Sequence, residues 1–123
     1  MRLIDTSCWI EALRRKGDSA IRAKVQSLLQ TSEAAWCDMV RLELWNGATS
    51  EWDKKLLRDL EATLPSLPMG PDTWNMAIDL AVRSRSAGHT IPATDLVIFA
   101  CARSHGVEVE HKDHHFEKLE QLK

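Results

Sequence analysis

The chain has 123 residues, 44% of them hydrophobic and 28% charged, with a formal net charge of -2. That length fits one domain around one core, and the charge excludes a protein that grips nucleic acid through a broad basic face. Cys8, Cys37 and Cys101 are odd in number, sit in apolar company and lack metal-ligand spacing, which predicts reduced, buried thiols rather than a disulfide framework or a cysteine-ligated metal.

The first seven residues, Met1-Arg2-Leu3-Ile4-Asp5-Thr6-Ser7, predict a short strand that hands a carboxylate to a strand-to-helix turn, because Trp9, Ile10, Ala12 and Leu13 then recur at helical spacing. In open α/β sheets, ligands collect beyond the carboxyl ends of parallel strands, where Asp5 would stand. Thr6 or Ser7 is the expected cap of the helix; the competing reading makes Asp5 only a cap. Gly17 is the expected stop, and Asp18 or Ser19 caps a second helix with Ile21, Val25, Leu28 and Leu29 on one face.

Ala34 to Cys37 has the length and apolarity of a buried parallel strand, after which Asp38 can cap a helix from Met39 to Gly47. Glu43 falls on the face of Val40, Leu44 and Gly47, and a glutamate beside an apolar stripe needs a reason. Trp52, Leu56, Leu57, Leu60 and Leu64 form the stripe of the next helix, stopped by Pro65. Ser66 to Met69 is a short third strand that Pro68 would confine to an edge. Gly70-Pro71-Asp72 then opens a helix with a predicted core face of Trp74, Ala77, Ile78, Ala81 and Val82, closing near Gly88.

Leu96 to Ala102 is apolar on every side and predicts a buried helix with Asp95 in its first turn. Val107 to Glu110 is the next strand, and Phe116, Leu119 and Leu122 mark a last short helix. No repeat, linker or charged-then-apolar leader interrupts this order, and the longest apolar run is too short to span a bilayer. A single cytoplasmic domain over residues 1–123 is therefore expected.

Strands alternating with helices imply a parallel sheet covered on both faces. In that arrangement Asp5, Glu43, Asp95 and Asp113 would meet at one sheet edge. Two ionised carboxylates about 4 Å apart repel by roughly 4 kcal/mol at an effective dielectric of 20, so such a cluster must take up protons or cations. Oxygen donors, with no cysteine or well-spaced histidine set beside them, point to Mg2+ or Mn2+ rather than zinc, and a carboxylate-held divalent ion suits phosphodiester hydrolysis.

These motifs, Asp5-Thr6-Ser7, Glu43-Leu44 with Gly47, Asp95-Leu96-Val97-Ile98 and His111-Lys112-Asp113-His114-His115-Phe116, resemble in order those of PIN-domain ribonucleases, closest to the VapC-type toxins of toxin–antitoxin pairs. The resemblance covers nearly the whole chain. It implies a three-layer α/β/α sandwich with a central parallel sheet of four or five strands and a Mg2+-dependent endoribonuclease. It also implies Asp5, Glu43, Asp95 and Asp113 as catalytic, metal-binding carboxylates, supported by Thr6 or Ser7, together with a homodimer and a cognate antitoxin that blocks the site.

The remaining features have plainer readings. His111, His114 and His115 are expected to be solvated. Trp36, Trp52 and Trp74 are expected in the core, and Trp9 and Trp45, which flank the acidic segments, either there or in a dimer or antitoxin groove. Arg14, Arg15, Lys16, Arg83 and Arg85 either guide an RNA backbone or cap solvated helix ends. Glu11 and Asp79 are left outside the site. Two rivals use the same acids: a phosphomonoesterase with Asp5 as nucleophile, which lacks a second aspartate at Ser7, and a Mg2+-binding receiver-like or interaction module, which would expect a lysine near the acids.

Overall fold

Leu3 and Ile4 are fully buried in β1 (Arg2–Ile4), the middle strand of a parallel sheet. β2 (Ala34–Ala35) lies on one side, with Arg2 opposite Ala34, and β3 (Glu108–Glu110) on the other, with Arg2, Leu3 and Ile4 opposite Glu108, Val109 and Glu110. The computed structural model describes residues 1–122. Around the sheet pack α1 (Thr6–Leu13), α2 (Ser19–Gln30), α3 (Asp38–Gly47), α4 (Glu51–Thr63), α5 (Pro71–Ser86), α6 (Ala93–Ser104) and α7 (His114–Gln121), completing an α/β/α fold. α1 pairs with α2 and α5 with α6, while α3 touches both α1 and α6.

The sheet is narrower than the four or five strands expected. Ser66 makes one parallel bridge to Trp36, through Trp36 N–H to the Pro65 carbonyl (3.1 Å) and Leu67 N–H to the Trp36 carbonyl (2.8 Å). Leu67 rather than Pro68 supplies the N–H that faces Trp36, and pairing stops where the chain turns into α3 at Asp38, so the segment remains a bridge at the β2 edge. Among the described residues no strand pairs with the outer edge of β3.

Helix ends follow their capping chemistry with two corrections. Asp18 caps α2, accepting from the N–H groups of Ala20 and Ile21 at 2.9 and 3.0 Å. Cys37, not Asp38, is the N-cap residue of α3; Asp38 lies in the first turn. α1 ends at Leu13, well before Gly17. Gly17 is needed instead for close approach, since a Cβ there would lie 1.8 Å from the Glu11 carbonyl oxygen. Beside it the Glu11 carboxylate accepts the Asp18 N–H at 2.6 Å and faces Arg14 and Lys112, at 3.2 and 3.4 Å. That tie closes the α1–α2 turn and explains why Glu11 is buried yet serves structure.

The core also departs from the sequence pattern. α5 turns Thr73, Ala77, Leu80 and Ser84 inward and leaves Trp74, Ile78 and Val82 exposed. Small residues on the inner stripe let α5 lie close to α6, where Thr73 Oγ1 meets Ser104 Oγ at 3.1 Å. Trp52 is 65% exposed, whereas Trp9 is fully buried and packs edge-on to Trp36 with ring centroids 6.3 Å apart. Trp45 is half-buried and donates its indole N–H to Glu61 at 3.1 Å. α6 buries seven successive residues, Leu96 to Ala102, as its sequence requires.

Substituting Gly17→Ala forces the turn away from Glu11. The expected loss is about 1–3 kcal/mol, the range for overpacking, read as a lower urea midpoint with an unchanged m-value.

Candidate active site

Asp5 leaves the carboxyl end of β1. Its own N–H donates to the Glu110 carbonyl at 2.9 Å, tying that end to the end of β3. Its carboxylate then caps α1: Oδ2 accepts the Ser7 N–H at 3.3 Å and the Ser7 hydroxyl at 2.6 Å. Asp5 is therefore the cap that Thr6 or Ser7 was expected to be. Capping does not exhaust its role, because the residue is only 4% exposed and burial pushes its pKa above the ordinary carboxylate range. The two Ser7 bonds pull it down, and the charge of Asp113 pushes it up again.

Asp95 lies in the first turn of α6 and is likewise raised, chiefly by burial and then by the charge of Asp5, with a further contribution from Asp113. A hydrogen bond with His115 acts against that rise. Asp113 caps α7, where Oδ1 accepts the His115 N–H at 2.9 Å. Three carboxylates from the ends of β1 and β3 and the start of α6 thus feel one another's charge. Glu43, half-buried on α3, is tied to the residue that follows Asp5: the Thr6 hydroxyl donates to its Oε1 at 2.7 Å.

The histidines divide. His115 is not solvated: it is half-buried, with Nδ1 3.1 Å from Asp95 Oδ2 and 3.3 Å from Asp113 Oδ1. The signal for it lay in the spacing, since an acid at an N-cap draws back the residue two places on, as Asp5 does Ser7. His114 is exposed, with Nδ1 3.4 Å from Asp113 Oδ1. His111 points elsewhere, bonding Glu120 at 2.9 Å and stacking on Phe116. Lys112 faces Glu11, and Asp79 pairs with Arg83 on the outside of α5.

Arg14, Arg15 and Lys16 line a groove of about 1170 Å³ together with Arg22, Glu43 and Trp52. A basic strip and the acidic cluster therefore share Glu43 as a boundary. The donor set itself is oxygen-only, with Asp5 buried and Asp95, Asp113 and Glu43 half-buried, and such a set fits a hard divalent cation. Asp5, Asp95, Asp113 and Glu43 are the residues that would hold it.

A parallel sheet that gathers acids at its carboxyl edge under helices is the arrangement of a nuclease-like α/β/α domain. The family described as PIN domain matches residues 2–122. The VapC ribonuclease Mb1587 of Mycobacterium bovis is 32% identical over 126 residues, covering 99% of this chain and 93% of that protein. Ribonuclease VapC18 of Mycobacterium tuberculosis is 29% identical over 120 residues, covering 94% and 85%. Among solved structures, FitAcB from Neisseria gonorrhoeae superposes with a TM-score of 0.76 at 20% identity, covering 98% of this chain and 94% of that one. VapBC2 from Rickettsia felis, bound to a promoter DNA fragment, gives 0.74 at 12% identity, covering 98% and 92%. The chain belongs to the PIN-domain family, among the VapC ribonucleases.

Raised pKa values have a definite consequence for stability. Folding favours the neutral forms of Asp5 and Asp95, so their contribution is fullest at low pH and is lost as pH rises through the folded-state values. In chelator, Asp5→Asn keeps an acceptor at the cap and removes the charge. Its melting temperature is expected to exceed that of the parent at pH 7, and the gap to close toward pH 4. Calorimetry at the two pH values checks it.

Proposed function

We propose that the chain is a Mg2+-dependent endoribonuclease, with Mn2+ able to substitute, acting as the toxin of a two-protein module restrained by a cognate antitoxin. The observation that carries this reading is the gathering of Asp95 and Asp113 on His115 Nδ1, at 3.1 and 3.3 Å, at the sheet edge where the Asp5 N–H is tied to the Glu110 carbonyl. It is supported by membership of a family whose relatives are named ribonucleases. When bound, the divalent ion supplies a Lewis acid that offsets charge developing on the phosphate.

In this reading residues 1–123 work as a single PIN domain. Asp5, Glu43 and Asp95 hold the ion, and Asp113 holds a second ion or orients the attacking water. Thr6 fixes the rotamer of Glu43 through its 2.7 Å bond, and Ser7 does the same for Asp5. Arg14, Arg15 and Lys16 lead the RNA backbone along the groove to Glu43, and an antitoxin segment seated in that groove excludes the RNA. Three buried free thiols suit a reducing cytoplasm, and among the described residues no helix is long and apolar enough to cross a membrane.

The receiver-like alternative lacks support from Lys112, which is engaged by Glu11 rather than by the acids. A homodimer is assigned to the outer face of α5, where Trp74, Ile78 and Val82 follow one another at four-residue spacing and a two-fold axis would pair the stripe with itself.

Purified protein incubated with total RNA and Mg2+ is expected to yield discrete cut ends, and none with chelator. Asp95→Asn is expected to lower the cleavage rate at least about 100-fold, the scale of losing transition-state charge stabilisation, with an unchanged circular dichroism spectrum. Full activity in that variant removes Asp95 from the mechanism. For the assembly, Ile78→Glu is expected to halve the mass seen by light scattering.

A further inference from the structure

We propose that Asp113, His114 and His115 form a separate site for a borderline transition-metal ion of the Zn2+ type, which shares Asp113 with the acidic cluster and competes with it. Each of the three brings one ligand atom within 4.8 Å of the other two. Nδ1 of His114 lies 3.4 Å, and Nδ1 of His115 3.3 Å, from the same Oδ1 of Asp113. A tetrahedral zinc with bonds of about 2.0–2.1 Å sets its donors about 3.3 Å apart, so these two edges already have the required length. The two imidazoles lie with centroids 4.4 Å apart and planes tilted by 43°, turned toward one carboxylate.

The first turn of α7 builds this arrangement. Asp113 is held by the His115 N–H at 2.9 Å, His115 is half-buried beside Asp95, and His114 is exposed, so an ion enters from solvent. Two nitrogens and one oxygen are a donor set suited to Zn2+, whereas the all-oxygen cluster suits Mg2+. Three protein ligands leave a fourth position for water.

Occupancy draws His115 Nδ1 away from Asp95 Oδ2, now 3.1 Å from it, and takes Asp113 from the acidic cluster. Resting on the nuclease reading, the consequence is that Zn2+ inhibits cleavage supported by Mg2+.

The test uses the full chain freed of metal by chelator, with Co2+ as a spectroscopic probe, because tetrahedral Co2+ absorbs far more strongly in the visible than octahedral Co2+. The expected result is one equivalent of Co2+ with intense visible bands, displaced by Zn2+ but not by millimolar Mg2+. His114→Ala, a change at an exposed side chain, weakens binding by at least about tenfold, while Asp95→Asn retains the bands. Weak octahedral-type absorption, or His114→Ala binding as tightly as the parent, overturns the site. In RNA cleavage with Mg2+, His114→Ala is expected to keep the parent rate and to need at least about tenfold more Zn2+ for half inhibition; equal sensitivity overturns the competition. A chain that shows the Co2+ bands but cuts no RNA leaves the zinc site standing and removes the nuclease reading alone.

Discussion

Parallel pairing on both sides of β1 is the constraint from which the site follows. Because β1 and β3 run the same way and are in register from Arg2–Glu108 to Ile4–Glu110, their carboxyl ends emerge together. The Asp5 N–H bond to the Glu110 carbonyl extends the ladder one step past the strand, so the backbone that carries one acid is fastened to the chain leading to another. β3 itself is short and has Val109 as its one buried residue. Arg2 holds the rest of it, donating to Glu108, Glu110 and the Val109 carbonyl at 2.8, 3.0 and 3.2 Å. Half-exposed ion pairs of this kind contribute little energy individually, but three donors from one fork fix direction as well as contact.

The acids are brought together against their own repulsion, and each is steadied by a neutral or basic neighbour. The same local device appears twice. Asp5 and Asp113 both cap a helix, both accept the N–H of the residue two places on, and both receive that residue's side chain: a hydroxyl from Ser7, an imidazole from His115. A cap of this type satisfies orphan N–H groups at a helix start, so stabilising a helix and placing a carboxylate in the site are one act. His115 reaches further than Ser7 and links the second cap to Asp95.

What was legible in the sequence was mainly local or strongly apolar. Leu3 and Ile4 before Asp5, the unbroken run from Leu96 to Ala102, and the break at Gly70-Pro71 each specify an element without reference to distant parts of the chain. The inner face of α5 was not legible. Trp74, Ile78 and Val82 make a more hydrophobic stripe than Thr73, Ala77, Leu80 and Ser84, but the smaller side chains permit the close approach to α6 and a hydroxyl pair with Ser104. Periodicity identifies an apolar face, not which of two faces a neighbour can reach. Trp9 is in the core and Trp52 is not, for a related reason: Trp9 follows directly from the central strand and has Trp36 to pack against, while Trp52 stands at the start of α4 beside the groove. Gly17 read as a helix stop because close backbone approach across a turn leaves no trace in periodicity.

α7 shows how far the fold and the chemistry are separable. Phe116 and Leu119 are fully buried, and they dock the helix against α6 irrespective of what lies at its first turn. Asp113, His114 and His115 are therefore placed by apolar packing a turn away, and by a backbone N–H, rather than by attraction among themselves. Asp95 is held in the same manner, by the buried run that follows it in α6. A cluster assembled this way persists while its charges repel, because the burial of core side chains, at about 1.5–3 kcal/mol for each large one, outweighs the repulsion it must withstand. The position of the acids is thus set by apolar packing and helix capping rather than by any attraction among the charges themselves.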